Sequence, residues 1–256
     1  MTALAHPFRI IAHRGASGYA PENTMAAFER AVAMGATEVE TDVCLTADGK
    51  VLLLHDDTLD RTTNGTGLPE EHTLADLKQL DAGSWHDPRL SWDRDYAGER
   101  LITLDELLDR FGPRLTYHIE LKKPQAGLVA KVAEAIGRRR LVENVFVFAC
   151  EQQAELKEMM ERAPGIRIAW APEELLVSDP TGAVDRCAGN GFRMLTLNSR
   201  NQSAAIVDHA HTLGLEARSS GIANRDPMIA AAEIGCNGMT INWPGWLLDY
   251  VKTGAR

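Results

Sequence analysis

Short apolar runs alternate with helix-period segments along almost the whole chain, and that alternation leaves few folds open. The short runs are Phe8–His13, Glu38–Cys44, Val51–His55, Thr116–Lys122, Asn144–Ala149, Ile166–Trp170, Met194–Leu197, Leu215–Arg218 and Gly238–Ile241. Helical patterns fall over Thr24–Met34, Ala126–Arg139, Gln152–Arg162, Ala183–Ala188, Gln202–Leu213 and Asp226–Ile234, with a last short helix after Trp246. Strands that alternate with helices read as parallel βαβ units. Treating Val51–His55 as an extension paired with the second strand leaves eight units in 256 residues, which predicts an α/β fold of the (β/α)8 TIM-barrel type, its active site at the C-terminal ends of the strands. The rival, a doubly wound open sheet, calls for G-x-G-x-x-G after the first strand. This chain has His13-Arg14-Gly15-Ala16-Ser17-Gly18 there. Residues 56–103 break the alternation, with one helical piece near Thr73–Leu80, and read as an insertion over the barrel mouth within a single domain spanning 1–256.

Charge narrows the function. Lys and Arg number 27 against 36 Asp and Glu, a net −9, which argues against a nucleic-acid partner, since that calls for a basic stripe. A small anionic substrate stays open, because a metal ion reverses the sign of a local site. No apolar run reaches membrane-spanning length. The N-terminus lacks the basic and apolar regions of a signal peptide, so a cytoplasmic location is expected. Cys44, Cys150, Cys187 and Cys236 are far apart, form no C-x-x-C pair, and read as small buried hydrophobes.

In Glu38-Val39-Glu40-Thr41-Asp42-Val43 the acids share one face of a strand. Both faces of a parallel barrel strand are covered, so inward carboxylates are costly unless paired or bound to a metal. His118, Glu120 and Lys122 repeat the pattern. Glu40, Asp42 and Glu120 together make an all-oxygen donor set, suited to Mg²⁺, Ca²⁺ or Mn²⁺ rather than zinc. The alternative for Glu120 and Lys122 is a surface salt bridge.

His13 and His55 both end apolar strands near these acids, where they can serve as general base and general acid. Arg14 and Lys122 are the cations to aim at an anionic oxygen. His118 reads either as a support to the metal ligands or as packing, and His209 and His211 as solvated or capping. Asn23 reads as a loop-folding residue, Glu22 as that or more. His6, His72 and His86 receive no role.

These segments resemble glycerophosphodiester phosphodiesterases. The resemblance rests on His13-Arg14-Gly15, Pro21-Glu22-Asn23-Thr24, Glu40-Thr41-Asp42, His55-Asp56, Arg61-Thr62-Thr63, Glu120-Leu121-Lys122 and Gly235-Cys236-Asn237-Gly238-Met239-Thr240, and runs from about residue 9 to 250. It implies a TIM barrel with a small segment inserted after His55. It also implies one divalent cation on Glu40, Asp42 and Glu120, with His13 and His55 as the acid–base pair. The implied reaction converts a glycerophosphodiester into glycerol 3-phosphate and an alcohol, the glycerol 2-hydroxyl attacking first to give a cyclic phosphate.

The chain departs from the family pattern in its second half. Many members have a Trp where this chain has Ser219-Ser220-Gly221-Ile222, and Thr-Asp where it has Ile241-Asn242. Ser and an aromatic are common where it has Ala149-Cys150. Such changes reshape the pocket for the alcohol and leave every expected ligand and histidine in place. Other readings stay open: a lysophospholipase D-type enzyme on the same barrel, its rim built from Trp85, Trp92, Trp243 and Trp246; a catalytically silent binding protein; and a metal-dependent sugar isomerase or aldolase.

Overall fold

A computed structural model describes residues 8–253 except 86, 88, 91 and 93, so His6 and His86 lie outside the described residues. Its strands are β1 (Arg9–Ala12), β2 (Glu38–Leu45), β3 (Val51–Leu53), β4 (Thr116–Leu121), β5 (Val145–Ala149), β6 (Arg167–Trp170), β7 (Met194–Asn198), β8 (Glu216–Ile222) and β9 (Gly238–Ile241). All neighbours run parallel except β3, which pairs antiparallel with β2, Cys44 opposite Leu52. Because β1 pairs with both β2 and β9, the eight parallel strands close into a barrel. The eight-unit count therefore holds, with β3 as the extension.

Around the barrel pack α1 (Met25–Ala33), α3 (Leu104–Phe111), α4 (Leu128–Arg138), α5 (Gln153–Arg162), α6 (Glu173–Ser178), α7 (Pro180–Gly189), α8 (Ala204–Thr212), α9 (Arg225–Glu233) and α10 (Pro244–Thr253); the short α2 (Leu74–Leu77) lies in the connection between β3 and α3. Each long helix turns an apolar stripe inward: Phe28, Leu107, Val132, Ile136, Leu156, Val184, Val207, Met228 and Leu247 are fully buried between helices and sheet. Burying such a side chain gains roughly 1.5–3 kcal/mol, and together they hold the outer layer to the barrel.

Four helix expectations change. Helix α3 went unread, although Thr103 and Glu106 form a reciprocal capping box, with Thr103 Oγ1 accepting from the Glu106 N–H and the Glu106 carboxylate from the Thr103 N–H. Helix α6 was also missed, and α7 is longer than Ala183–Ala188 because Pro180 starts it and Asp179 caps it. The last helix begins at Pro244, before Trp246.

The barrel axis is charged as well as apolar. At its N-terminal end Arg9 donates to Glu216 at 2.5 Å and to Glu38 at 3.0 Å. Above them His118 is buried, its Nε2 2.8 Å from Glu38 and its Nδ1 3.2 Å from the buried Arg218 guanidinium. Burial pushes the imidazole down to about 4, so it is neutral, donating through Nε2 and accepting through Nδ1. The His118 ring stacks on Phe146, and Arg218 lies 4.3 Å over the Phe148 ring. Each buried ion thus has a partner or an aromatic face.

The loop from β1 to α1 depends on Gly15. It has φ +78°, and an added Cβ would lie 2.5 Å from the Ala27 carbonyl carbon of α1. Gly15→Ala is expected to cost roughly 1–3 kcal/mol by overpacking alone, read as a lower midpoint in denaturant. An unchanged midpoint would show that the loop has room to move.

Candidate active site

The C-terminal ends of β2 and β4 bring the predicted acids together. Parallel pairing sets Glu40 beside His118 and Asp42 beside Glu120, so period-two alternation turns Glu40, Asp42 and Glu120 toward the barrel axis. One carboxylate oxygen from each lies within 4.8 Å of the others, and all three residues are buried. Glu120 therefore joins the cluster as expected, and the alternative of a surface salt bridge with Lys122 is excluded.

Burial, then the charge of Asp42, raises the Glu40 carboxyl well above the usual carboxylate range, and the same two causes raise Glu120. Burial opposes the Asp42 charge too, but Arg14 with His55 and Lys122 outweighs it and holds this carboxyl at about 2. Asp42 Oδ1 is buried without a hydrogen-bond partner. Three converging hard oxygens, one of them unpartnered, fit an oxygen-loving divalent cation.

The β1–α1 loop closes over this cluster. Arg14 (φ 54°) and Asn23 (φ 56°) both take the left-handed conformation, a cost that marks functional loops. That twist lets the Arg14 N–H donate to Glu40 Oε2 at 3.0 Å. The Arg14 guanidinium meets Asp42 at 3.2 Å and Glu22 at 2.9 Å. Asn23 is buried, donates to Asp42 Oδ2 at 3.0 Å and accepts from Thr41 Oγ1 at 2.8 Å. It is thus more than a loop-former: it orients an acid. Lys122 Nζ is 3.0 Å from Glu120 and 3.9 Å from Asp42.

Both histidines are held by the same nitrogen. His13 Nδ1 lies 2.5 Å from Asn242 Oδ1, and His55 Nδ1 lies 2.6 Å from Asp56 Oδ1. An oxygen acceptor at Nδ1 places the proton there and leaves Nε2 to exchange protons. His13 Nε2 is 3.8 Å from Glu40. Loss of solvation, then the Arg14 charge, pushes His13 well below the usual histidine range. Arg61 grips Asp56 and Glu22 together, at 2.5 and 2.8 Å. That grip, led by the Arg61 hydrogen bonds, lowers the Asp56 carboxyl.

Asp56, Arg61, Asn23, Asn242 and Arg218 were missed as partners of the site residues. Asp56, Arg61 and Asn23 stood inside quoted motifs, so spacing could have raised them; Asn242 was noted only as a departure from pattern. Arg218 carried no signal beyond being a charge within an apolar strand.

His209 and His211 bond Asp185 and Asn237 on the outer surface, away from the acids. Cys44, Cys187 and Cys236 are buried as expected. Cys150 corrects that reading: it is only partly buried, with its sulfur 3.6 Å from Glu120, and burial and that carboxylate push its thiol up to about 12. The four tryptophans expected at the rim form two separate pairs, Trp85 with Trp92 and Trp243 with Trp246. No described helix is long and apolar enough to cross a membrane.

The glycerophosphoryl diester phosphodiesterase family model matches residues 13–244. The chain is 33% identical to a glycerophosphodiester phosphodiesterase of Bacillus subtilis (strain 168), over 98% of this chain and 89% of that one. It is 38% identical to a glycerophosphodiester phosphodiesterase of Caldanaerobacter subterraneus subsp. tengcongensis, over 96% and 98%. Among solved structures, an Oleispira antarctica phosphodiesterase in complex with the product sn-glycerol-3-phosphate superposes with a TM-score of 0.81 at 26% identity, over 96% of this chain and 97% of that one.

The acids have a measurable electrostatic cost. A carboxyl whose folded pKa is raised binds more protons folded than unfolded, so stability falls as pH rises through that interval. After chelation, Glu40→Gln is expected to melt about 2–4 °C above the parent at pH 8, a gap of roughly 1 kcal/mol, and the gap is expected to close toward pH 4.5. A variant that melts lower at pH 8 would mean the Glu40 charge is fully compensated without a cation.

Proposed function

The chain belongs to the glycerophosphoryl diester phosphodiesterase family, and we propose that it hydrolyses glycerophosphodiesters to glycerol 3-phosphate and an alcohol, with one divalent cation on Glu40, Asp42 and Glu120. The observation that carries this reading is the pairing of the buried acid cluster with two histidines that are both anchored through Nδ1. A silent binding protein has no need of two such histidines beside three mutually repelling acids.

A divalent cation at the acids supplies Lewis-acid stabilisation of the phosphate's non-bridging oxygens. The rest falls to the side chains. Lys122, partly exposed, presents its ammonium at the edge of the cluster, where it draws the phosphate in. Arg14 holds Asp42 and Glu22 in place and contributes positive charge to the same corner. One histidine takes the proton of the attacking hydroxyl at Nε2, and the other returns a proton to the leaving oxygen. Asp56 and Asn242 fix the two rings so that neither must reorient. In the family reading the attacking group is the glycerol 2-hydroxyl; its attack forms a cyclic phosphate, which water then opens at the same site.

Release of glycerol 3-phosphate from a panel of glycerophosphodiesters, with and without chelator, tests the activity directly. His13→Ala and His55→Ala are each expected to lower kcat by roughly 10²–10⁴-fold while keeping the rise in Tm on adding millimolar Mg²⁺ or Ca²⁺. Near-normal turnover in either variant would remove that histidine from the chemistry.

The nucleophile has its own test. A 2-deoxyglycerol analogue keeps the phosphate and its charge, so it is expected to inhibit competitively and to turn over very slowly, having lost an attacking group whose effective molarity reaches roughly 10⁵–10⁸ M in ideal cases. Hydrolysis at the parent rate would assign the first attack to water.

A further inference from the structure

Two adjoining recesses meet beside Asn242, Asp87, Arg89 and Leu90, and they differ in size and chemistry. The smaller, about 270 Å³, is lined by Arg14, Ser17, Glu22, His55, Asp56 and Arg61. The larger, about 510 Å³, starts at His13 and runs between Leu90, Ile222, Ala223, Trp243 and Trp246. Both share Asp87, Arg89, Leu90 and Asn242, and each of the two anchored histidines lines one of them, His13 the larger and His55 the smaller, so a phosphodiester held between the histidines has one recess on either side.

The two arms of the substrate sort by chemistry. Glycerol carries two further hydroxyls, which lose free energy in an apolar wall and find partners in the polar recess. The other alcohol is left with the larger, mostly apolar cavity. Ser220 and Gly221 also line it, the Ser220 hydroxyl donating to the Leu197 carbonyl. Its wall is a parallel indole pair, with ring centroids of Trp243 and Trp246 4.6 Å apart and planes 8° from coplanar. The cavity is poorly suited to an ammonium group. Its rim carboxylate, Asp87, is already paired with Arg89, and the Arg225 guanidinium lies 5.5 Å from the Trp246 ring centroid.

We propose that this cavity binds the alcohol half of the substrate, and that the alcohol is uncharged, apolar and larger than glycerol. The proposal rests on the phosphodiesterase reading above and gives that site a substrate class. Volumes of a few hundred Å³ with apolar walls and a few polar groups at one end are the usual form of small-molecule sites.

The test compares sn-glycerol 3-phosphate esters of methanol, butanol, hexanol, glycerol and choline, assayed with the intact chain in millimolar Mg²⁺ by release of glycerol 3-phosphate. The alkyl leaving groups differ little in acidity, so their ratios report the cavity rather than the chemistry. Because single methylenes in an apolar pocket change kcat/KM by roughly 10–200-fold, hexyl is expected to exceed methyl, glycerol and choline by at least about tenfold. Trp246→Ser and Leu90→Ser are each expected to lower the hexyl-to-methyl ratio by at least about fivefold. A flat alkyl series, or preference for the choline or glycerol ester, overturns the assignment while leaving the phosphodiesterase reading intact. Failure to release glycerol 3-phosphate from any ester overturns both. The wild-type series decides the matter even if one variant fails to fold.

Discussion

Three carboxylates buried within reach of one another dominate this molecule. Glu40, Asp42 and Glu120 repel each other where water cannot screen them, and the surrounding architecture answers that repulsion. Arg14 comes from the β1 loop, Lys122 from the end of β4 and Arg218 from the barrel axis. Two strained residues, Arg14 and Asn23, bend the loop so that a backbone N–H and a side-chain amide also face the acids. The β1–α1 loop is therefore shaped by charge, and Gly15 and the Thr24 cap of α1 hold it to that shape.

The barrel itself was legible because a parallel strand covered on both faces has a distinct signature. Val145–Ala149 is a continuous apolar run, whereas β2 alternates acids with Val and Thr, and only an inward-facing functional strand reconciles that alternation with a helix-covered outer face. The acids and the histidines followed from their positions at strand ends. Helix α3 was obscured because it follows a long polar connection, even though its capping box is written in Thr103 and Glu106. Helix α6 has six residues, too few for a periodic pattern to stand out.

What the sequence left hidden at the site were partnerships across the fold. Asn242 and His13 are 229 residues apart, and Arg61 and Glu22 are 39 apart. No local pattern signals such pairs, because the barrel closure that makes them neighbours is itself a tertiary event. The departures at Ser220, Gly221 and Asn242 were visible, and all three line the larger recess. Cys150, noted alongside them, instead touches Glu120. Position along the strand separates these cases: Cys150 follows β5 beside the acids, whereas Gly221 lies near the end of β8 at the outer mouth.

The ladder along the barrel axis bears on how such a chain can change over time. Arg9, Glu38, His118 and Arg218 bond in sequence through the interior, each satisfying a neighbour from a different strand. Losing one member leaves a polar group of its neighbour without that hydrogen-bond partner in the interior, which is more damaging than replacing both partners together. These four positions are thus tied in their sequence drift: a lineage can exchange the ladder for an apolar filling only by correlated replacement across β1, β2, β4 and β8. The interior thus resists single replacements, whereas Ala223 and Leu90 on the recess wall hold no place in that ladder.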